Sequence, residues 1–190
     1  VPPLTQPGVQ TNATMQPSPL YDILLVSDQS LSMWDCDGIG SDPDMLRVDA
    51  VHLFVNYLGA DSNSERFRLG LLHFGGVPRL MAPLTELASD AARQQLLDVA
   101  VNPEPISWTD QLAALQTARQ LLADTALPES RRVVVLLTDG EPVLTGGQPF
   151  DKAQYVAKLM AVASELTVQN ADLFVVQLTN PNTTCNQRVI

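Results

Sequence analysis

The chain of 190 residues has only two cysteines, Cys36 and Cys185, too few for a disulfide framework or a thiolate metal site. It has two histidines, His52 and His73, which lie apart from each other and from any cysteine pair. Positive charge is scarce as well. With 11 Lys and Arg against 21 Asp and Glu the formal charge is -10, which excludes a nucleic-acid backbone as partner and favours cations or basic proteins. No apolar run reaches the roughly 18 residues of a membrane span. Charged residues make up 17% and hydrophobic residues 45%, the ordinary balance of one globular domain.

Charge is also missing from the first 21 residues, which hold five of the 14 prolines (Pro2, Pro3, Pro7, Pro17 and Pro19). Residues 1–20 therefore read as an extended linker or stalk, and residues 21–190 as the domain. The chain begins without an initiator Met or a signal-peptide pattern, as expected of a piece of something longer.

Residues 21–27 form a nearly continuous apolar run that stops at Asp28, the pattern of a strand buried on both faces. Pro43 opens a helix carrying Val48, Val51, Val55 and Leu58 at three- and four-residue spacing before Gly59. Residues 68–74 read as a second strand. Gly75-Gly76 then turns the chain into a third, antiparallel strand at 77–81, with Pro78 suited to a sheet edge. Helices are expected at 89–99 and 109–123, a β-branched strand at 131–138, a helix at 151–166 with Val156, Met160 and Ala163 on its apolar face, and a last strand at 171–178. The fold class is α/β: a doubly wound, mostly parallel central sheet with one antiparallel edge strand and helices on both faces.

In such a sheet, ligands collect beyond the carboxyl ends of the strands where the winding reverses, which is between the first and fourth strands here. Asp28 closes the first strand in Asp28-Gln29-Ser30-Leu31-Ser32, Asp139 closes the fourth in Thr138-Asp139-Gly140, and Thr109 opens the preceding helix. Two carboxylates and three hydroxyls meeting there make an all-oxygen set, which suits a hard cation such as Mg²⁺. The nearby acids Asp35, Asp37, Asp42 and Asp44, in a stretch that with Asp49 has Arg47 as its lone counter-charge, read as a solvated loop, with a second cation site or an acidic rim for a basic partner as the functional alternatives. Trp34 and Trp108 flank the crevice, either as ordinary loop packing or as an aromatic rim for a partner. Asp110 and Glu141 read as helix-start and turn acids, with support of the candidate ligands from behind as the alternative.

This combination resembles the metal-ion-dependent adhesion site of the von Willebrand factor A-type domains, the family that includes the integrin I domains. The resemblance covers about residues 20–180. It implies that Ser30, Ser32 and Thr109 are hydroxyl ligands, and that Asp28 and Asp139 hold the ion directly or through water. The ion would be Mg²⁺, with Mn²⁺ or Ca²⁺ as alternatives. An Asp or Glu of a partner protein would complete the coordination, giving adhesion or scaffolding without catalysis. Where many members have Gly between the serines and before the threonine, this chain has Leu31 and Trp108, neither of which supplies a ligand oxygen. Members usually continue with a further helix and strand, so the domain is expected to lack its last strand and helix.

Cys36 and Cys185 both fall at the carboxyl end of the sheet, where either one Cys36–Cys185 bridge or two free thiols would stand. With the proline-rich lead-in, a bridge points to an extracellular, cell-surface or periplasmic setting. One competing reading is a Mg²⁺-dependent phosphatase or phosphotransferase of the haloacid-dehalogenase type with Asp28 as nucleophile, although Ser30 stands where that family usually has a second Asp. A serine hydrolase lacks its G-x-S-x-G elbow. An intracellular partner of an ATPase assembly would share the same fold.

Overall fold

β1 (Tyr21–Asp28) is buried along all but its first residue because it lies in the middle of the sheet. The computed structural model describes residues 19–34, 39–61, 64–101, 103–140, 142–147 and 149–183. After β1 come α1 (Leu31–Trp34), α2 (Leu46–Gly59), β2 (Phe67–Phe74), β3 (Pro78–Glu86), α3 (Asp90–Ala100), α4 (Gln111–Thr125), β4 (Arg131–Thr138), α5 (Lys152–Val168) and β5 (Ala171–Gln177). The five strands lie in the order β3-β2-β1-β4-β5, with β3 antiparallel to β2 and every other pairing parallel.

The side-chain alternation of a strand divides the core in two. Leu24 and Val26 of β1 face Ala114, Leu115, Ala118 and Leu122 of α4 and Val162 and Leu166 of α5. Ile23 and Leu25 face Val51 and Val55 of α2 and Leu96 and Ala100 of α3. This is the expected doubly wound sheet, and it brings the ends of β1 and β4 side by side. β3 runs five residues beyond the 77–81 read from the sequence, because irregular register opposite Leu69–Leu72 lets the edge strand continue through Pro83.

Three expectations need correction. Pro43 lies in the turn ahead of α2, which begins at Leu46. The helix expected from Thr109 begins at Gln111, with Asp110 as its cap, and Thr109 instead pairs with Val143 in an isolated bridge. On α5 the buried residues are Tyr155, Val162 and Leu166, whereas Val156 and Met160 are 46% and 63% exposed. Two apolar stripes of equal period run side by side on this helix, and the sheet takes the other one. Val156 and Met160 instead line an apolar groove of about 410 Å³ with Leu173 and Val175 of β5. Phe174 and Val176 are exposed on the opposite face of that edge strand. Cys36 and Cys185, and hence the bridge between them, lie outside the described residues.

At the amino end of the sheet, the buried Asp22 carboxylate accepts hydrogen bonds from Arg68 Nε (2.6 Å), Ser130 Oγ (2.6 Å) and Leu127 N (2.8 Å), tying β1 to β2 and to the turn before β4. Burial alone would raise its pKa, but these donors outweigh burial and hold it below the ordinary 3.8. A carboxyl held low in the folded state stabilises the fold above pH 3.8, and that stability is lost as pH falls through the folded value. Asp22→Ala is therefore expected to cost about 3 kcal/mol in urea unfolding at pH 7, and to make stability less steep in acid. A midpoint and acid profile matching the wild type would contradict this account.

Candidate metal centre

At the end of β1, Gln29 N donates to Phe74 O (2.7 Å) and Ser30 N donates to Asp28 Oδ1 (2.8 Å), which turns the chain sharply off the sheet. Met33 N then bonds to Ser30 O and starts the single turn of α1. That turn sets the Ser30 and Ser32 hydroxyl oxygens 3.0 Å apart. Ser32 Oγ donates to Asp139 Oδ1 (3.2 Å), and Thr138 Oγ1 donates to Asp28 Oδ2 (2.6 Å). Asp28, Ser30, Ser32 and Asp139 are thus joined in one hydrogen-bonded group across the ends of β1 and β4, the Asp28–Ser30 link running through the Ser30 backbone N–H.

Thr109 is brought to the same end by its backbone. Ile106 N donates to Gln29 O (2.7 Å), Asp110 N to Gly75 O (2.8 Å), and Thr109 and Val143 exchange both backbone hydrogen bonds (2.7 and 2.8 Å). The Thr109 side chain is buried, but its hydroxyl takes no part in the hydrogen bonds that link the other four residues. Asp110 caps α4 through Ala113 N and accepts from Tyr155 Oη (2.9 Å), so it acts as the helix-start acid expected. Glu141 lies outside the described residues.

Asp28 is fully buried, and Asp139 is only 7% exposed. Burial, then the negative charge of Asp139, push the Asp28 carboxyl up to about 6, against the hydrogen bonds from Thr138 and Ser30. The donor set contains no nitrogen or sulfur. Two acids folded together in a dry crevice beside three hydroxyls have the chemistry of a hard-cation site, since a divalent ion would relieve the repulsion that burial intensifies.

Arg47 has a larger role than sequence reasoning gave it. Its side chain is wholly buried, with Nη1 2.6 Å from Asp42 Oδ2, Nε 3.0 Å from Gln29 Oε1, and the guanidinium carbon 4.3 Å from the centroid of the Trp34 ring. Asp42 in turn caps α2 by accepting from Leu46 N and Arg47 N. The acidic run therefore splits: Asp42 is structural, Asp44 and Asp49 face solvent, and Asp35 and Asp37 lie outside the described residues. Among the described residues no three His, Cys, Asp or Glu side chains gather as a second metal cage. Burial and then the Arg47 charge push buried His73 down to about 4, so it is neutral at physiological pH. The one sequence signal for this network was that Arg47 stood alone among acids.

The two tryptophans also separate. Trp34 packs beneath Arg47, whereas Trp108 is 37% exposed and sits in the left-handed backbone region at φ 70°. This is the position where Gly commonly stands in the resembled motif, and the backbone keeps a glycine-like conformation with an indole attached.

An open doubly wound sheet with acids and hydroxyls gathered at its carboxyl edge defines a Rossmann-like α/β ligand-binding domain. A family model for the von Willebrand factor type A domain matches residues 22–186, and the chain belongs to that family. Among solved structures it is similar to manganese-loaded TRAP protein from Plasmodium vivax (TM-score 0.61, 20% identity, 85% of this chain and 58% of that one). It is also similar to the SpaC pilus adhesin from Lactobacillus rhamnosus GG (0.66, 14%, 85% and 25%) and to the PilB minor pilin from Streptococcus sanguinis (0.63, 14%, 87% and 51%). The chain spans between 25% and 58% of the length of these three, and at such identities the likeness is one of fold. No curated protein matches the sequence.

Because the folded-state value of Asp28 lies above 3.8, its ionisation works against the fold: the penalty is absent below pH 3.8 and complete above about 6. Asp28→Asn should therefore stabilise the chelator-treated protein at pH 7.5 by roughly 1–3 kcal/mol and leave it nearly unchanged at pH 4. Thermal unfolding at the two pH values measures this, and a destabilised variant at pH 7.5 would refute it.

Proposed function

We propose that the domain recognises a protein through a bound divalent cation. Ser30, Ser32 and Thr109 supply hydroxyl oxygens, Asp28 and Asp139 bind directly or through water, and an Asp or Glu of the partner completes the coordination. Mg²⁺ fits this hard oxygen set, with Mn²⁺ or Ca²⁺ as alternatives. The ion, when bound, supplies a positive centre for the incoming carboxylate. The protein residues hold that centre in place and exclude water from around it. The observation that carries the reading is the hydrogen-bonded run from Asp28 to Asp139, through the Ser30 backbone N–H (2.8 Å) and then the Ser30 and Ser32 hydroxyls (3.0 and 3.2 Å), at the point where the sheet winding reverses.

The fold likeness to a manganese-loaded protein supports a divalent ion, and the likeness to a pilus adhesin and a minor pilin supports adhesion at a cell surface. Catalysis by Asp28 is disfavoured by its own contacts. One carboxylate oxygen accepts from Ser30 N and the other from Thr138 Oγ1, and the residue is fully buried, which suits a fixed anion better than an attacking nucleophile.

Calorimetric titration of Mg²⁺, Mn²⁺ and Ca²⁺ into the wild type should give one saturable site. Asp28→Ala and Ser32→Ala, checked for folding by circular dichroism, should weaken that site at least about tenfold. Negligible heats in all three proteins would sink the metal reading. Turnover of an aryl phosphate that disappears in Asp28→Ala would favour the phosphatase reading instead.

A further inference from the structure

Three exposed apolar side chains stand on the loops that carry the oxygen cluster. Leu31, between the two serines, is 50% exposed, while the inward residue of the same helical turn, Met33, is fully buried. Trp108, directly before Thr109, is 37% exposed, and Val143, bonded through its backbone to Thr109, is 44% exposed. Each is attached to a candidate ligand residue by a peptide bond or a backbone hydrogen bond, so one stands on each of the three loops that carry the cluster.

Trp108 is held in place at a cost. A bulky residue at φ 70° carries strain of about 1–3 kcal/mol that glycine would not. Its neighbours are small where it needs space: a Cβ on Gly76 would lie 3.0 Å from Trp108 Cβ, and one on Gly147 would lie 3.5 Å from Trp108 Cζ3. The indole is thereby braced between the β2–β3 hairpin and the 145–147 turn, with part of its surface left in solvent.

Charge narrows the partner further. Among the described residues of the carboxyl-end loops, 28–34, 39–46, 103–110, 139–140 and 142–147 contain no Lys or Arg. Exposed acids do stand there: Asp44 and Glu104. Cations stand only at the margin of this end: Arg79 lies 3.9 Å from Glu104, and Lys152 shares a pocket wall with Val143. A single carboxylate flanked by uncharged apolar side chains would meet the ion and the collar together.

We infer that Leu31, Trp108 and Val143 form an apolar collar that selects a protein segment whose Asp or Glu is flanked by bulky apolar residues. This rests on the metal reading above and adds the chemistry of the partner. The collar supplies the specificity, because any carboxylate satisfies the ion while only an apolar flank covers the indole and the Leu31 side chain.

The test uses two capped tripeptides, one with Asp between Phe and Leu and one with Asp between two Ser, titrated into the Mn²⁺-loaded protein and followed by calorimetry. The ion is titrated separately on each variant. The wild type should bind the apolar-flanked peptide about tenfold more tightly, a difference of about 1.4 kcal/mol. The double variant Leu31→Gly/Trp108→Gly should bind the two peptides alike, and Trp108→Gly also removes strain, so the variant is expected to fold. Ion binding with equal peptide affinities in the wild type, or a preference that persists in the double variant, overturns the collar alone. Absence of ion binding overturns the metal reading and the collar with it.

Discussion

The Arg47 guanidinium lies wholly out of water, stacked on Trp34 and paired with an equally buried Asp42. A charge in that position is tolerable only if its partners stay where they are, because an unpaired buried ion costs several kcal/mol. The partners are the parts that shape the carboxyl end of the sheet. Gln29 stands between Asp28 and Ser30, Trp34 ends the turn that carries Ser32, and Asp42 caps α2. Gly40 belongs to the same arrangement, since a Cβ there would lie 2.5 Å from the Trp34 carbonyl group. Moving Gln29, Trp34, Gly40 or Asp42 would break several of these contacts at once, which ties these residues to one another before any ligand arrives.

Above this anchor the energetic logic reverses. Asp28 and Asp139 repel each other, Asp28 resists ionisation, and Trp108 occupies a backbone region that favours glycine. Such conflicts persist only where surrounding structure imposes them, and they cluster where a protein acts on something else. The imposing structure is the strand order that puts β1 beside β4. Hydrogen bonds from Ile106 to Gln29 and between Thr109 and Val143 lock the three loops to one another.

Much of this was legible in the sequence because apolar runs mark buried parallel strands directly. β4 was placed at its observed bounds, and Asp28 and Asp139 fell at strand ends as read. The misplacement of Thr109 came from periodicity, which marks a helix but not its first residue; the cap falls on Asp110 because its carboxylate reaches Ala113 N. The apolar stripe of α5 was misread because the stripe of Tyr155, Val162 and Leu166 is displaced by one position from that of Val156, Met160 and Ala163, and only contact with the sheet distinguishes them. The Asp42–Arg47 pair was hidden because an acidic run reads the same whether one of its members is solvated or buried. Trp34 and Trp108 looked equivalent for the same reason.

The position of β1 has a mechanical consequence. It is hydrogen-bonded to parallel neighbours on both sides, from Tyr21 opposite Phe67 and Arg131 to Ser27 opposite His73 and Leu137. A pull entering at Leu20 and resisted at the Asp28 end runs along the strand axis. Both ladders then carry the load in shear, with many bonds strained together, whereas a hairpin pulled from its open end yields one bond at a time. The direction in which the sheet resists extension is therefore the line joining its amino-terminal lead to the cluster at its far end.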